Sequence, residues 1–295
     1  MAIDVTAVAT DAADDSAPDR RRGLRRGKRT WHIHLALIVI CLVLCAPVLY
    51  ALLVTTQDKS AMLHFQLFPG SALGDNLHTV LDTHGLGTYM LNSAIMSVII
   101  AVGKAITGLL AGLAFVYFRF PGRGIVFFIV LITLMMPTEI SILALFNIVD
   151  QLGMTNNLSG LTVPFLASAT AAFLFRQHFS NLPANLSEAA QLDGANPIQF
   201  LFKVLVPLSW NVIGALTVIE FLYGWNMYLW PLLTVHDDDA QVVQVGLSGL
   251  QQTGNEGITY GPLMLGALIA SIPPILVFIA LQRPFMKGFA LSHDK

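Results

Sequence analysis

The feature that constrains this chain most is the recurrence of apolar runs as long as a bilayer is thick. A helix needs about 20 predominantly apolar residues to cross the hydrocarbon core. Six segments of the 295-residue chain meet that requirement, at about 32–54, 88–117, 124–147, 158–180, 208–235 and 261–282. Only 12% of the residues are charged and the mean hydropathy is +0.68, whereas about a quarter of a soluble domain is charged. The expected fold class is therefore an all-α membrane protein with six transmembrane helices.

The distribution of basic residues gives the orientation, because lysine and arginine stay on the cytoplasmic side of short loops. With the N-terminus inside, fourteen of the sixteen basic residues fall on cytoplasmic segments, including Arg119, Arg123, Arg176, Lys203, Arg283 and Lys287. The outer loops hold Lys59 and a set of acids, among them Asp75, Asp82, Asp150, Asp237, Asp238 and Asp239. Both termini are thus expected on the cytoplasmic side, with the chain multi-pass in a membrane and bathed in lipid. Residues 1–30 run from acidic to basic with almost nothing to bury, which predicts a disordered cytoplasmic tail. The transmembrane domain is expected over 31–295. The first apolar run is too long for the core of a signal peptide and lacks a clear cleavage site, so it is read as a retained span.

Several function classes find no support. The net charge of −2 with no basic face leaves no nucleic-acid footprint. Cys41 and Cys45 lie one helical turn apart inside an apolar run, where packing or lipid contact is expected rather than a disulfide or a metal site. His64, His78 and His84 fit no compact ligand spacing, and His236-Asp237-Asp238-Asp239 lacks the alternation and glycine of a calcium loop. No phosphate-cradling Gly-Lys loop is present, and no nucleophile, metal or cofactor constellation points to an enzyme.

The informative inner loop is 181–207. It contains Glu188-Ala189-Ala190-Gln191-Leu192-Asp193-Gly194-Ala195, with Pro197 shortly after and Pro207 at its end. This reads as helix, break, helix. Asn185 can cap the first helix with Glu188 three residues on, Gly194 can take positive φ, and Pro197 can open the second helix. The small residues Ala189, Ala190 and Gly194 leave a face open to close approach by another protein, with Glu188 and Asp193 as polar anchors. A bland reading, in which Glu188 only caps and Gly194 only terminates, explains the residues but not their place in a six-span chain.

The run Glu-Ala-Ala-x-x-Asp-Gly-Ala, with a proline thirteen positions beyond Gly194, resembles the EAA loop of ABC importer permeases. Three further segments carry the resemblance over nearly all of the chain after the tail. They are Thr133 to Glu139, Gly160 to Gln177, and Tyr223-Gly-Trp225-Asn226-Met-Tyr-Leu-Trp230-Pro231. The likeness is greatest to glycerol-3-phosphate permease subunits of the Ugp type within the carbohydrate-uptake group. It implies the type I importer permease fold, with a coupling helix that seats in the ATPase through Glu188, Ala189, Ala190, Asp193, Gly194 and Ala195. It also implies a homologous second permease, two ATPase subunits that bind the ATP and magnesium, and an extracytoplasmic substrate-binding protein. No cofactor is implied for this chain, and the implied location is the inner (plasma) membrane of a bacterial cell. The implied cargo is glycerol-3-phosphate or a glycerophosphodiester, with a disaccharide such as maltose or trehalose as the alternative. The charged tail is longer than such permeases usually have.

Charged groups at bilayer depth are costly and face a pore or a partner. Lys104, between Gly103 and a Gly108-x-x-x-Gly112 helix-contact motif, is expected to pair with a carboxylate; the competing reading is a counter-charge for a phosphorylated solute. Glu139, beyond Pro137, can line the translocation path or pair structurally. Glu220 precedes Tyr223, Trp225 and Asn226, a polar and aromatic patch that can touch solute or pack on the partner permease. An ion-coupled secondary transporter using Lys104, Glu139 and Glu220 is the rival class, and it leaves the inner loop unexplained.

Overall fold

The structure is a computed structural model and describes residues 31–58, 66–251 and 259–290, with the side chains of 138, 139 and 287–290 outside that description. The tail 1–30, His64 and the Glu139 side chain, about which the sequence raises expectations, therefore lie outside the described residues. All regular structure among the described residues is helical. The helices, in chain order, are α1 (Trp31–Val54), α2 (Leu73–His78), α3 (Leu86–Tyr117), α4 (Arg123–Leu134), α5 (Thr138–Gln151) and α6 (Leu158–Thr162). They continue as α7 (Ala169–Ser180), α8 (Asn185–Leu192), α9 (Pro197–Phe200), α10 (Trp210–Trp225), α11 (Leu229–Thr234), α12 (Val243–Gln251) and α13 (Tyr260–Ala290).

The chain divides into two units, Met1–Tyr50 and Ala51–Lys295. The described part of the first unit is the bulk of α1, apolar on every side and exposed from Trp31 to Tyr50. A helix that is hydrophobic all round belongs in a bilayer.

The second unit is organised by α3, a proline-free helix of 32 residues and so about 48 Å long. It starts after Gly85, whose φ of 61° reverses the incoming chain. One row of its surface, Met96, Ile100, Lys104, Gly108 and Gly112, is buried at every fourth position, as side chains four apart share a helix face. Helices α7 and α10 pack along α3, and α13 packs along α10. The Gly108 and Gly112 contact is real: a Cβ at Gly108 would lie 2.6 Å from the Cβ of Ala171, and one at Gly112 2.7 Å from the Cβ of Phe175. Only a missing side chain lets α3 and α7 approach that closely.

Three helices, α1, α3 and α13, are long and apolar enough to cross a membrane, and two bent pairs raise the number to five. The sequence anticipates six transmembrane helices, and the structure shows where the apolar runs are interrupted. The 124–147 run is interrupted at Pro137, which sits at φ −64° and ψ 129° between α4 and α5, because proline has no N–H to donate and its ring disfavours a helical residue before it. The 158–180 run bends by 42° between Leu158–Phe165 and Ala169–Ser180. The 208–235 run is not one continuous helix either. Pro197–Leu208 meets α10 at 82°, and a break at Asn226 separates α10 from α11.

The core follows the length of α3. Toward its C-terminal half, Ala105, Leu109 and Leu113 pack with Phe175, Phe179, Ala190, Phe200, Leu205 and Leu216. Toward its N-terminal half, Leu86 and Ala101 pack with Phe221, Trp225, Val243, Leu250 and Leu263. A third cluster joins Met96 and Ile100 to Val149, Leu161, Trp230 and Val242.

Candidate functional site

The 181–207 segment forms the expected helix, break and helix, with one change at its start. Ala184, not Asn185, occupies the N-cap position, and no side chain caps it. Leu186 N–H and Ser187 N–H already donate to the Pro183 and Ala184 carbonyls, at 3.2 Å each. The chain therefore coils one residue early and Asn185 is inside the first turn, out of reach of a capping role. The capping box appears at α9 instead, where Asn196 Oδ1 accepts from Gln199 N–H at 2.8 Å and Gln199 Oε1 accepts from Asn196 N–H at 3.1 Å. Pro197 stands in the first turn of α9, where its missing N–H costs nothing.

The end of α8 is a Schellman turn. Ala195 N–H donates to the Ala190 carbonyl at 2.9 Å and Gly194 N–H to the Gln191 carbonyl at 3.0 Å, with Gly194 at φ 72°. That left-handed residue lets the two bonds close and satisfies the helix's last carbonyls. The turn sorts the six singled-out residues into two sets. Ala190 is buried in the core beside α3 and α7, and Ala195 packs against the same cluster. Glu188, Ala189, Asp193 and Gly194 are exposed, and so is Leu192, with 89% of its surface open. One face of α8 is thus keyed into the helix bundle while the other is presented outward. Leu192 was not singled out from the sequence.

The second site lies inside the bundle. Lys104 of α3 finds the carboxylate partner expected for it: its Nζ is 2.7 Å from Oε2 of Glu220 on α10. Ser168 Oγ donates to the other oxygen, Glu220 Oε1, at 3.2 Å, and accepts from Ala171 N–H at 3.1 Å as the N-cap of α7. Lys104 and Glu220 are buried, and the ammonium stands 3.9 Å from the centre of the Tyr223 ring. Ser168 was not singled out from the sequence, though a serine just ahead of an apolar helical run is a recognisable cap.

Tyr223 links this cluster to a cleft of about 430 Å³ formed by Ser141, Phe165, Tyr223, Asn226, Tyr228, Trp230 and neighbouring aliphatic side chains. Trp230 is held by an indole N–H donated to the Gly160 carbonyl at 3.1 Å and lies edge-on to Phe165. Asn226 closes α10 by donating to the Leu222 carbonyl at 2.8 Å. The sequence-derived patch is therefore split by the structure. Tyr223 and Asn226 reach the cleft, whereas Trp225 is 2% exposed and stacks on Phe221 within the core. Lys104 and Glu220 lie beneath Tyr223 rather than in the cleft wall. The helical period explains the split, since 219, 222, 223 and 226 share one face of α10 and 225 does not.

Proteins similar to this chain are components of transport systems. Residues 104–289 match the family described as binding-protein-dependent transport system inner membrane component. The chain is 39% identical over 269 residues to the sn-glycerol-3-phosphate transport system permease protein UgpE of Escherichia coli K12, covering 88% of this chain and 95% of the relative. The UgpE proteins of Salmonella typhi and Pectobacterium atrosepticum are likewise 39% identical with the same coverage. The fold is similar to a chain of a bacterial ABC transporter involved in the import of the acidic polysaccharide alginate, with a TM-score of 0.74 at 24% identity over 88% of this chain and 97% of that one. An all-helical bundle with long apolar helices, an outward-facing Glu-Ala-Ala helix and full-length relatives among permeases lead to one conclusion: the chain belongs to the binding-protein-dependent transport system inner membrane component family, the permeases of ABC importers.

Proposed function

We propose that this chain is one half of the translocation channel of an ATP-driven importer for glycerol-3-phosphate or glycerophosphodiesters. It has six spans with both ends cytoplasmic, the third span being α4 and α5 broken at Pro137. It works with a homologous permease, two ATPase subunits and an external binding protein. The observation that carries this reading is α8, whose exposed Glu188, Ala189, Leu192 and Asp193 face outward while Ala190 is locked into the core shared by α3, α7 and α10. A push on α8 by a closing ATPase pair is transmitted to that core through packed side chains rather than through a loose loop. The cleft beside Tyr223 and Asn226 is the part of the translocation path that this subunit supplies.

The cargo rests on the named relatives, all glycerol-3-phosphate permeases. A disaccharide is the second reading, favoured by the tyrosine, tryptophan and phenylalanine rings in the cleft and by the Glu220 carboxylate that already holds the Lys104 charge. The test is ATP hydrolysis and uptake by the reconstituted complex with its binding protein. Stimulation by glycerol-3-phosphate or glycerophosphocholine but not by maltose or trehalose supports the first reading, and the reverse supports the second. Uptake that persists without ATP on ion gradients alone overturns both.

A further inference from the structure

A buried ion pair in a membrane interior is costly, and this one is placed where it touches the cleft through a single side chain. Lys104 and Glu220 stand 116 residues apart on α3 and α10, and Ser168 ties the carboxylate to the first turn of α7. Three helices are thus pinned together at the bend that precedes α7. Glu220 and Tyr223 are three residues apart on one face of α10, so the Tyr223 ring comes to lie against the Lys104 ammonium. Tyr223 nevertheless keeps 37% of its surface exposed, and it lines the cleft.

We propose that Lys104 and Glu220 are positioning residues for transport: together they hold Tyr223 as the ring on which the uncharged, hydroxyl-bearing part of the cargo rests during passage. The inference depends on the cleft being part of the translocation path. The charge arrangement suits the task. The cation grips the negative face of the ring, and Glu220 cancels its charge, so the ring is anchored without a net charge beside the path. A lone lysine there would retain an anionic cargo, and a lone carboxylate would repel it.

The test uses the whole complex in liposomes, with its partner permease, ATPases and binding protein, and glycerol-3-phosphate and maltose as probes. The quantity read is solute taken up per ATP hydrolysed. Replacing Lys104→Met and Glu220→Gln together avoids leaving an unpaired buried charge. The complex is expected to assemble with its ATPase still stimulated, while uptake per ATP falls roughly three- to tenfold, the scale of a partly desolvated cation–ring contact. Tyr223→Leu should lower the ratio at least as far, and Tyr223→Phe should leave it near the original value. If assembly, hydrolysis and uptake fall together at constant ratio, the pair is only structural and the proposal is overturned. If Tyr223→Leu lowers the ratio and the double variant does not, the positioning role fails and the cleft stands. If neither changes it, the cleft itself is off the path and both ideas fall. Should the double variant not assemble, Ser168→Ala decides: a lowered ratio with normal assembly supports the proposal, and an unchanged ratio overturns it.

Discussion

Glu188 and Glu220 are the same residue type in opposite surroundings, and the contrast separates two regions of the molecule. Glu188 is exposed on α8. Glu220 is 4% exposed, gripped by Lys104 and Ser168. The first region is held by the Schellman turn, the Asn196 capping box and the buried Ala190, and leaves Glu188, Ala189, Leu192 and Asp193 exposed. The second is held by its side chains, and a change there is felt by three helices. Regions that present chemistry to a partner tolerate substitution for stability, whereas regions that hold helices together do not.

The largest expected effect lies in the buried region. Lys104→Met alone leaves Glu220 without its cation, which should cost about 3–5 kcal/mol; the yield and melting temperature of the solubilised complex should drop, with most of the loss recovered when Glu220→Gln is added. If the single and double variants melt alike, the pair contributes nothing and the contrast collapses. Next comes Gly112→Leu, which drives a side chain into Phe175 and should destabilise by about 1–3 kcal/mol. Gly124→Ala, at a position with nothing near the added carbon, serves as its neutral control.

In the presented region the effects should be smaller on stability and larger on transport. Gly194 has open space around it but a φ of +72°, so Gly194→Val is strained by about 1–3 kcal/mol locally without a clash. The complex should still assemble while ATP-driven uptake is lost, and Gly194→Asn, which tolerates that conformation, should retain uptake. Removal of the α9 cap by Asn196→Ala should cost about 1 kcal/mol, seen as earlier proteolysis of the 181–207 segment. Glu188→Gln should change melting by less than about 0.5 kcal/mol yet weaken co-purification of the ATPase. A large stability loss at Glu188 would erase the distinction between the regions.

Much of this was legible in the residues. Gly194, Pro197 and the Gly108-x-x-x-Gly112 spacing each announce a local geometry that only a few residues permit, and the structure shows all three. The Lys104 pairing was legible in kind, because a charge at that depth demands a partner. Its identity was not, since Glu220 and Glu139 both qualified and they lie far apart in sequence. Asn185 misled because a capping residue is recognised by its neighbours, and Pro183 starts the coil one residue sooner. Trp225 was grouped with Tyr223 and Asn226 by adjacency along the chain, although adjacent helical residues point some 100° apart.

What the sequence determined by itself is the solvent and the local turns. Long apolar runs demand a bilayer, basic residues set the expected sidedness, and glycine and proline mark where a helix bends or ends. Those properties follow from each residue's own preferences and its near neighbours. Only the tertiary structure decided that Lys104 meets Glu220, that Ser168 joins them, that Ala190 faces inward while Ala189 faces out, and that Tyr223 spans the gap between a buried charge and an open cleft. Such contacts depend on the angle and rotation at which separate helices pack, and apolar helices in lipid lack the polar outer face that would reveal their inward side from sequence.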